Sequence, residues 1–148
     1  MSQEDTVSVL NDLIQTSEDG KKGFADAAEH VQLSNLKTVF EARSLDCAAA
    51  AIELQSLVGS LGGVPRDSGT LAGAARRGWA SVRASLGSSD RTILDEVESA
   101  EDVAKAAYAK ALTVDLPGSI RSVIERQSAG AVRNHDLIRS LRDAQPFA

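Results

Sequence analysis

Glu18 and Glu101 are the carboxylates best placed to do chemistry, because each follows by four residues an aliphatic position, Ile14 and Val97, on a helically spaced stripe. A carboxylate on such a stripe is turned toward the interior of a helix bundle, where it needs a cation beside it. Di-metal bundles meet that need with one Glu from each of two helices and a Glu-x-x-His motif from each of the other two. Oxygen-rich ligation with added imidazole suits iron or manganese. The remaining helical segments offer Glu41 and Glu125, but three residues further on stand Ser44 and Ser128 rather than histidines. Both glutamates also fall near the starts of their helices, more than a turn from the middle. The mid-level positions carry Arg43, Gln127 and Asn134 instead. An arginine supplies a fixed positive charge and five donors, so it does electrostatically what a metal would do. The expected arrangement is a buried polar network of Glu18, Arg43, Glu101, Gln127 and Asn134, with an ion pair where a metal would sit.

Two histidines are present, His30 and His135. His135 stands beside Asp136, and together with Glu53 and Glu98 it defines an off-centre metal alternative. Glu18, Glu53, Glu98, Glu101 and His135 are thus the full candidate ligand set for iron or manganese. The simpler account of His135 is an imidazole held by hydrogen bonds in the bundle, and it is the one favoured, so no cofactor is expected. Cys47 lies among alanines on a helix seam, where a thiol behaves as a small inert hydrophobe. A nucleophile elbow, a phosphate loop and a dinucleotide fingerprint are all missing from the sequence.

Helices must position these groups. The 148 residues are rich in alanine, leucine and arginine, all good helix formers, and only 3% are aromatic. The first helix is expected from about Asp5 to Val31, with Leu10, Ile14, Phe24, Ala28 and Val31 inward. The second carries Leu36, Phe40, Arg43, Cys47, Ala50, Leu54, Leu57 and Leu61 in steps of four and three and stops at Gly62-Gly63. Ser88-Ser89-Asp90 supplies N-cap residues for a third long helix, with Ile93, Val97, Glu101, Ala104, Tyr108 and Ala111 on one stripe. The fourth follows Leu116-Pro117-Gly118 with Ile120, Ile124, Gln127, Ala131, Asn134, Ile138 and Leu141 inward. Pro65, Pro117 and Pro146 fall where these patterns run out.

The expected fold is therefore all-α, a single domain over 1–148 made of a hairpin (5–62), a crossover (63–89) and a second hairpin (90–144). Helices of about 25 residues span roughly 37 Å, and a crossover of that length can run back along the bundle, making the second and third long helices parallel. One long crossover between two hairpins is the ferritin-like topology. The crossover holds a short helix of its own, with Leu71, Ala75, Gly78, Trp79, Val82 and Leu86 to one side. Gly69, Gly73 and Gly78 make a small-residue surface on it. Trp79 with Arg76, Arg77 and Arg83 either seals the bundle or packs against a second subunit, tryptophan and arginine being favoured at interfaces. The two hairpins also resemble each other, Glu18 aligning with Glu101 and Glu41 with Glu125, which suggests duplication.

Charge narrows the partners. A formal net charge of −5 and few aromatics argue against nucleic acid. With no apolar run of spanning length, no secretory pattern at the N-terminus and one cysteine, a soluble cytoplasmic protein is expected.

Ser17-Glu18-Asp19-Gly20 with Phe24, Glu41-Ala-Arg43 leading to Cys47, Gly62-Gly63-Val-Pro65 and Arg77-Gly-Trp79 make a specific combination. Glu101-Asp102 through Tyr108 and Arg133-Asn-His135-Asp136 extend it. Over nearly the whole chain these motifs resemble an uncharacterised bacterial family of ferritin-like four-helix bundles. The resemblance implies a ferritin-like fold and no activity, since that family is itself a domain of unknown function. The histidines of ferritins and rubrerythrins are absent from the matching Glu41 and Glu125 motifs. The expectation is a non-catalytic bundle acting by homo-oligomerisation or partner binding, with a part in stress response by analogy alone. A carboxylate-bridged di-metal protein is the alternative.

Overall fold

A computed structural model describes residues 2–65 and 73–145. Over these residues the chain is all-α, with helices α1 (Gln3–His30), α2 (Ser34–Ser60), α3 (Gly73–Ser85), α4 (Asp90–Ala111) and α5 (Gly118–Asp143). Leu71, Gly69 and Pro146 lie outside the described residues.

Local chemistry sets the helix ends. Ser2 caps α1 through a reciprocal pair with Asp5: Ser2 Oγ accepts from Asp5 N at 3.1 Å, and the Asp5 carboxylate accepts from Ser2 N. Ser89 caps α4 by accepting from Thr92 N at 3.2 Å. Gly62 ends α2 because its φ of +74° reverses the chain at no steric cost, and Gly63 N then returns to Val58 O. Pro117 stands at the N-cap of α5, where its missing N–H costs nothing.

Contacts at the helix ends fix the chain directions. Gln3 at the start of α1 donates to Leu61 O beyond α2, and Asn11 donates to Val64 O, so α1 and α2 are antiparallel. Asp90, the first residue of α4, accepts from Gln32 N at 2.7 Å and Leu33 N at 3.0 Å in the α1–α2 turn. Arg91 donates to Arg142 O and Gln145 O at the end of α5. Hence α2 and α4 start at the same end of the molecule and run parallel, while α4 and α5 are antiparallel. The chain from Leu61 to Ser89 makes the return journey, with α3 packed on α4 and α1. The α2 and α5 helices barely meet, and a cleft opens between them.

The apolar core is split in two. One cluster gathers Phe24, Val31, Leu36, Phe40, Trp79, Val82, Ile93, Val97 and Ile138 at the end where the α1–α2 turn lies. The other gathers Leu10, Leu13, Ile14, Leu54, Val58, Tyr108, Ile120 and Ile124 at the opposite end. Polar groups occupy the waist between them.

Trp79 turns into the first cluster. It is buried, and its ring meets Phe24 edge-on at 4.9 Å and 69°. The slot exists because α1 has glycine at position 23: a Cβ there would lie 2.0 Å from Trp79 Cε3. Trp79 is therefore a seal rather than a surface anchor, and of the expected interface set only Arg76, Arg77 and Arg83 remain exposed. The physical reason is the ring's apolar area, which finds a fitted cavity inside its own chain. Gly23→Ala should push the indole out and destabilise the chain by about 1–3 kcal/mol, the usual cost of overpacking. Urea unfolding followed by the fluorescence of the sole tryptophan reads both effects; unchanged stability and emission would refute the fitted slot.

Candidate functional site

Three side chains from three helices meet at the waist. Glu101 of α4 is 1% exposed. Arg43 of α2 reaches it with Nη2 3.6 Å from Oε2, and Asn134 of α5 donates Nδ2 to the same oxygen at 3.2 Å. The guanidinium also lies over the Phe24 ring, 5.8 Å from its centroid. Burial pushes the Glu101 carboxyl above its ordinary range, with Arg43 and Asn134 pulling it back. Burial is the largest influence on Arg43 and opposes its charge, but Glu101 and the other acidic groups around it together outweigh burial, so the guanidinium holds its proton more firmly than usual. Arg43 Nε finds no hydrogen-bond partner among the described residues.

A second polar chain adjoins it. Tyr108 donates its hydroxyl to Gln127 Oε1 at 2.9 Å, and Gln127 Nε2 donates to Glu53 Oε1 at 2.8 Å. Arg126 closes the chain on Glu53 at the rim. Burial pushes the Tyr108 phenol up to about 12 and the Cys47 thiol up to about 12, so both stay protonated near neutrality. Cys47 Sγ rests against Gly20, where a Cβ would approach it to 2.9 Å. These groups line the floor and walls of the α2–α5 cleft, a space of about 860 Å³.

The sequence-derived network thus divides. Arg43, Glu101 and Asn134 come together, and Gln127 belongs to the neighbouring Tyr108–Glu53 chain. Glu18 joins neither. The inward face of α1 at this level is Ser17 and Gly20, and Glu18, about 100° further round, is half-buried beside Lys21 at 3.9 Å. Four-residue steps drift about 40° on a straight helix, so counting from Ile14 overstates how far Glu18 points inward. Glu41 and Glu125 are exposed, the latter paired with Arg121.

The candidate metal set disperses as well. Glu53 is held by Arg126 and Gln127, and Glu101 by Arg43. Glu98 and His135 do approach each other, but on the α4–α5 side and in the company of Asp102. Asp102, Tyr108 and Asp90 were missed as site or tie residues. For Tyr108 a signal existed, since a hydroxyl on a core stripe must find a partner. For Asp102 it was the i,i+4 spacing from Glu98 on one helix face.

Compared with known families, the chain matches over residues 5–114 the model described as a domain of unknown function, DUF2383. The chain belongs to the DUF2383 family. The match covers α1 to α4 and stops before α5, so Asn134 and Gln127 complete the polar waist from outside the matched segment. No curated protein matches the chain. No helix among the described residues is long and apolar enough to cross a membrane.

The charge state of Glu101 gives a signed prediction. Its folded-state pKa is raised, so the native chain binds that proton more tightly than the unfolded chain does. Its contribution is then greatest below the unfolded value and is lost as pH rises through the folded one. Relative to Glu101→Gln, the native sequence should gain stability between about pH 7 and about pH 5. Urea unfolding of both proteins at the two pH values tests this, and a gain in the opposite direction would contradict it.

Proposed function

We propose that this DUF2383 chain is a ferritin-like four-helix bundle, with α3 as the extra helix of its crossover, and that it acts without catalysis by associating with a second copy of itself. The parallel course of α2 and α4 supports the ferritin-like topology, since one long crossover between two hairpins has that consequence. Arg43 supports the absence of catalysis, because it stands opposite Glu101 where a metal would have to sit.

The observation that carries self-association is the two-sidedness of α2. Its inner face holds Leu36, Phe40, Cys47, Leu54 and Val58. Its outer face carries Ala42, Leu45, Ala49 and Ile52, with Leu45 72% and Ile52 67% exposed. Steps of three, four and three make the seam of a helix that meets another helix. A helix apolar on both sides is ordinarily covered on both. Val132 and Leu137 add exposed apolar surface on α5, across the cleft.

A second copy is the occupant that the charges fit. Beyond the internal Arg126–Glu53 pair, Asp46 on α2 and Arg133 on α5 bring opposite charges to the same cleft. Both signs on one patch suit an isologous contact, in which each copy offers the other the complement of what it receives. Solution mass by light scattering should exceed the 15.5 kDa of one chain. Leu45→Asp with Ile52→Asp should return it to one chain with unchanged helical circular dichroism, because neither side chain supports the core. A native chain that stays monomeric at high concentration would end this reading.

A further inference from the structure

A cluster where α4 meets α5 does not line the α2–α5 cleft. His135 of α5 is 0% exposed. Its Nδ1 lies 3.1 Å from Asp136 Oδ1, and its Nε2 faces α4, where Asp102 Oδ1 is 2.6 Å away. Nε2 is buried and has no hydrogen-bond partner among the described residues, and its contact with Asp102 is an ion pair only when the ring is protonated. Glu98, one turn before Asp102 on the same face, completes the group, and one donor atom from each of the three residues lies within 4.8 Å of the others.

We propose that Glu98, Asp102 and His135 form a site for a single divalent transition metal of the zinc class. The tautomer follows from geometry: if Nδ1 carries the proton and donates it to Asp136, Nε2 presents a lone pair to carboxylate oxygens. Lone pair against anion is repulsive unless a proton or a metal ion lies between them, and a metal bound here displaces that proton. Two donors on one tetrahedral metal stand roughly 3.3–3.6 Å apart, so Nε2 and Asp102 Oδ1 would open from 2.6 Å to admit it. Asp136 on the far nitrogen fixes the ring as the outer carboxylate of a carboxylate–histidine–metal triad does. One imidazole and two carboxylates suit zinc, with bonds of about 2.0–2.2 Å and an open position for water. Donors up to 4.8 Å apart would close by about 1.2–1.5 Å to reach that geometry, a movement within reach of carboxylate side chains on one helix face.

Two arginines face the same group. Arg142 Nη1 is 2.7 Å from Glu98 Oε2, and Arg139 Nε is 3.7 Å from Glu98 Oε1. Arg142 is itself shared with Asp95 and Asp143. A metal would have to share Glu98 with them, so the site binds more weakly than a four-ligand structural zinc.

Titrating the full-length chain with Zn²⁺ by calorimetry, and with Co²⁺ for its visible spectrum, tests the site. One metal per chain is expected, with the absorption of a low-coordinate Co²⁺ bound to nitrogen and oxygen. Asp102→Asn changes a largely exposed carboxylate and should leave the fold intact while weakening binding at least tenfold, as loss of a ligand or its supporting shell does. His135→Ala should abolish binding, and Glu53→Gln, on the cleft side, should leave it unchanged. Absence of saturable binding, or equal affinity in the native and Asp102→Asn proteins, would overturn the proposal. A monomeric native chain would bear on self-association and leave this test untouched.

Discussion

A carboxylate that is 1% exposed cannot remain ionised without a cation at its side, and Glu101 is that carboxylate. Arg43 supplies the charge from α2, Asn134 adds a donor from α5, and Phe24 of α1 offers its ring to the guanidinium. One interaction thereby ties α4 to the other three long helices at a single level. It interrupts the apolar core, which continues above and below as two separate clusters. A buried ion pair adds little to stability compared with apolar residues of the same volume, so its more plausible gain is register. Sliding α2 past α4 by one turn would move the guanidinium about 5.4 Å and strand both charges.

The rest of the architecture accommodates that waist. Asp90 pins the α1–α2 turn to the start of α4 through two backbone N–H groups, so the hairpins meet in fixed register at one end. Gly23 and Gly78 let α3 lie close, the first receiving Trp79 and the second leaving out a Cβ that would come within 3.3 Å of Ala100 Cα. With α3 on one side of the α1–α4 pair, the other side is left to α2 and α5, which diverge into the cleft. The same divergence leaves the outer stripe of α2 uncovered. Position of the waist, course of the crossover and exposure of α2 are in this sense one arrangement.

Much of this was legible in the residue pattern. The long-helix bounds follow from caps and glycine or proline stops, each a local signal. The seam of α2 and the stripes of α4 and α5 are visible in period alone, which sets Arg43 opposite Glu18 or Glu101, and the fold selects Glu101. The failures are equally physical. Glu18 slips outside because α1 packs against α2, α3 and α4, and so buries a wide face centred on Ser17 and Gly20 rather than a narrow seam. Trp79 goes inward because of a glycine 56 positions earlier, a correspondence that no periodicity encodes. Ala100 is buried because α3 covers a second face of α4, and Glu98, Asp102 and His135 meet only once α4 and α5 pair. Contacts within one helix can be read from spacing; contacts between helices require the fold.

A double-mutant cycle on Arg43 and Glu101 tests the central constraint most directly. Arg43→Met and Glu101→Leu should each cost about 3–5 kcal/mol by stranding the partner's charge, and the double variant should cost much less than their sum because no buried charge remains. Losses that simply add would contradict the account, since the two side chains would then contribute independently and the waist would not rest on their pairing.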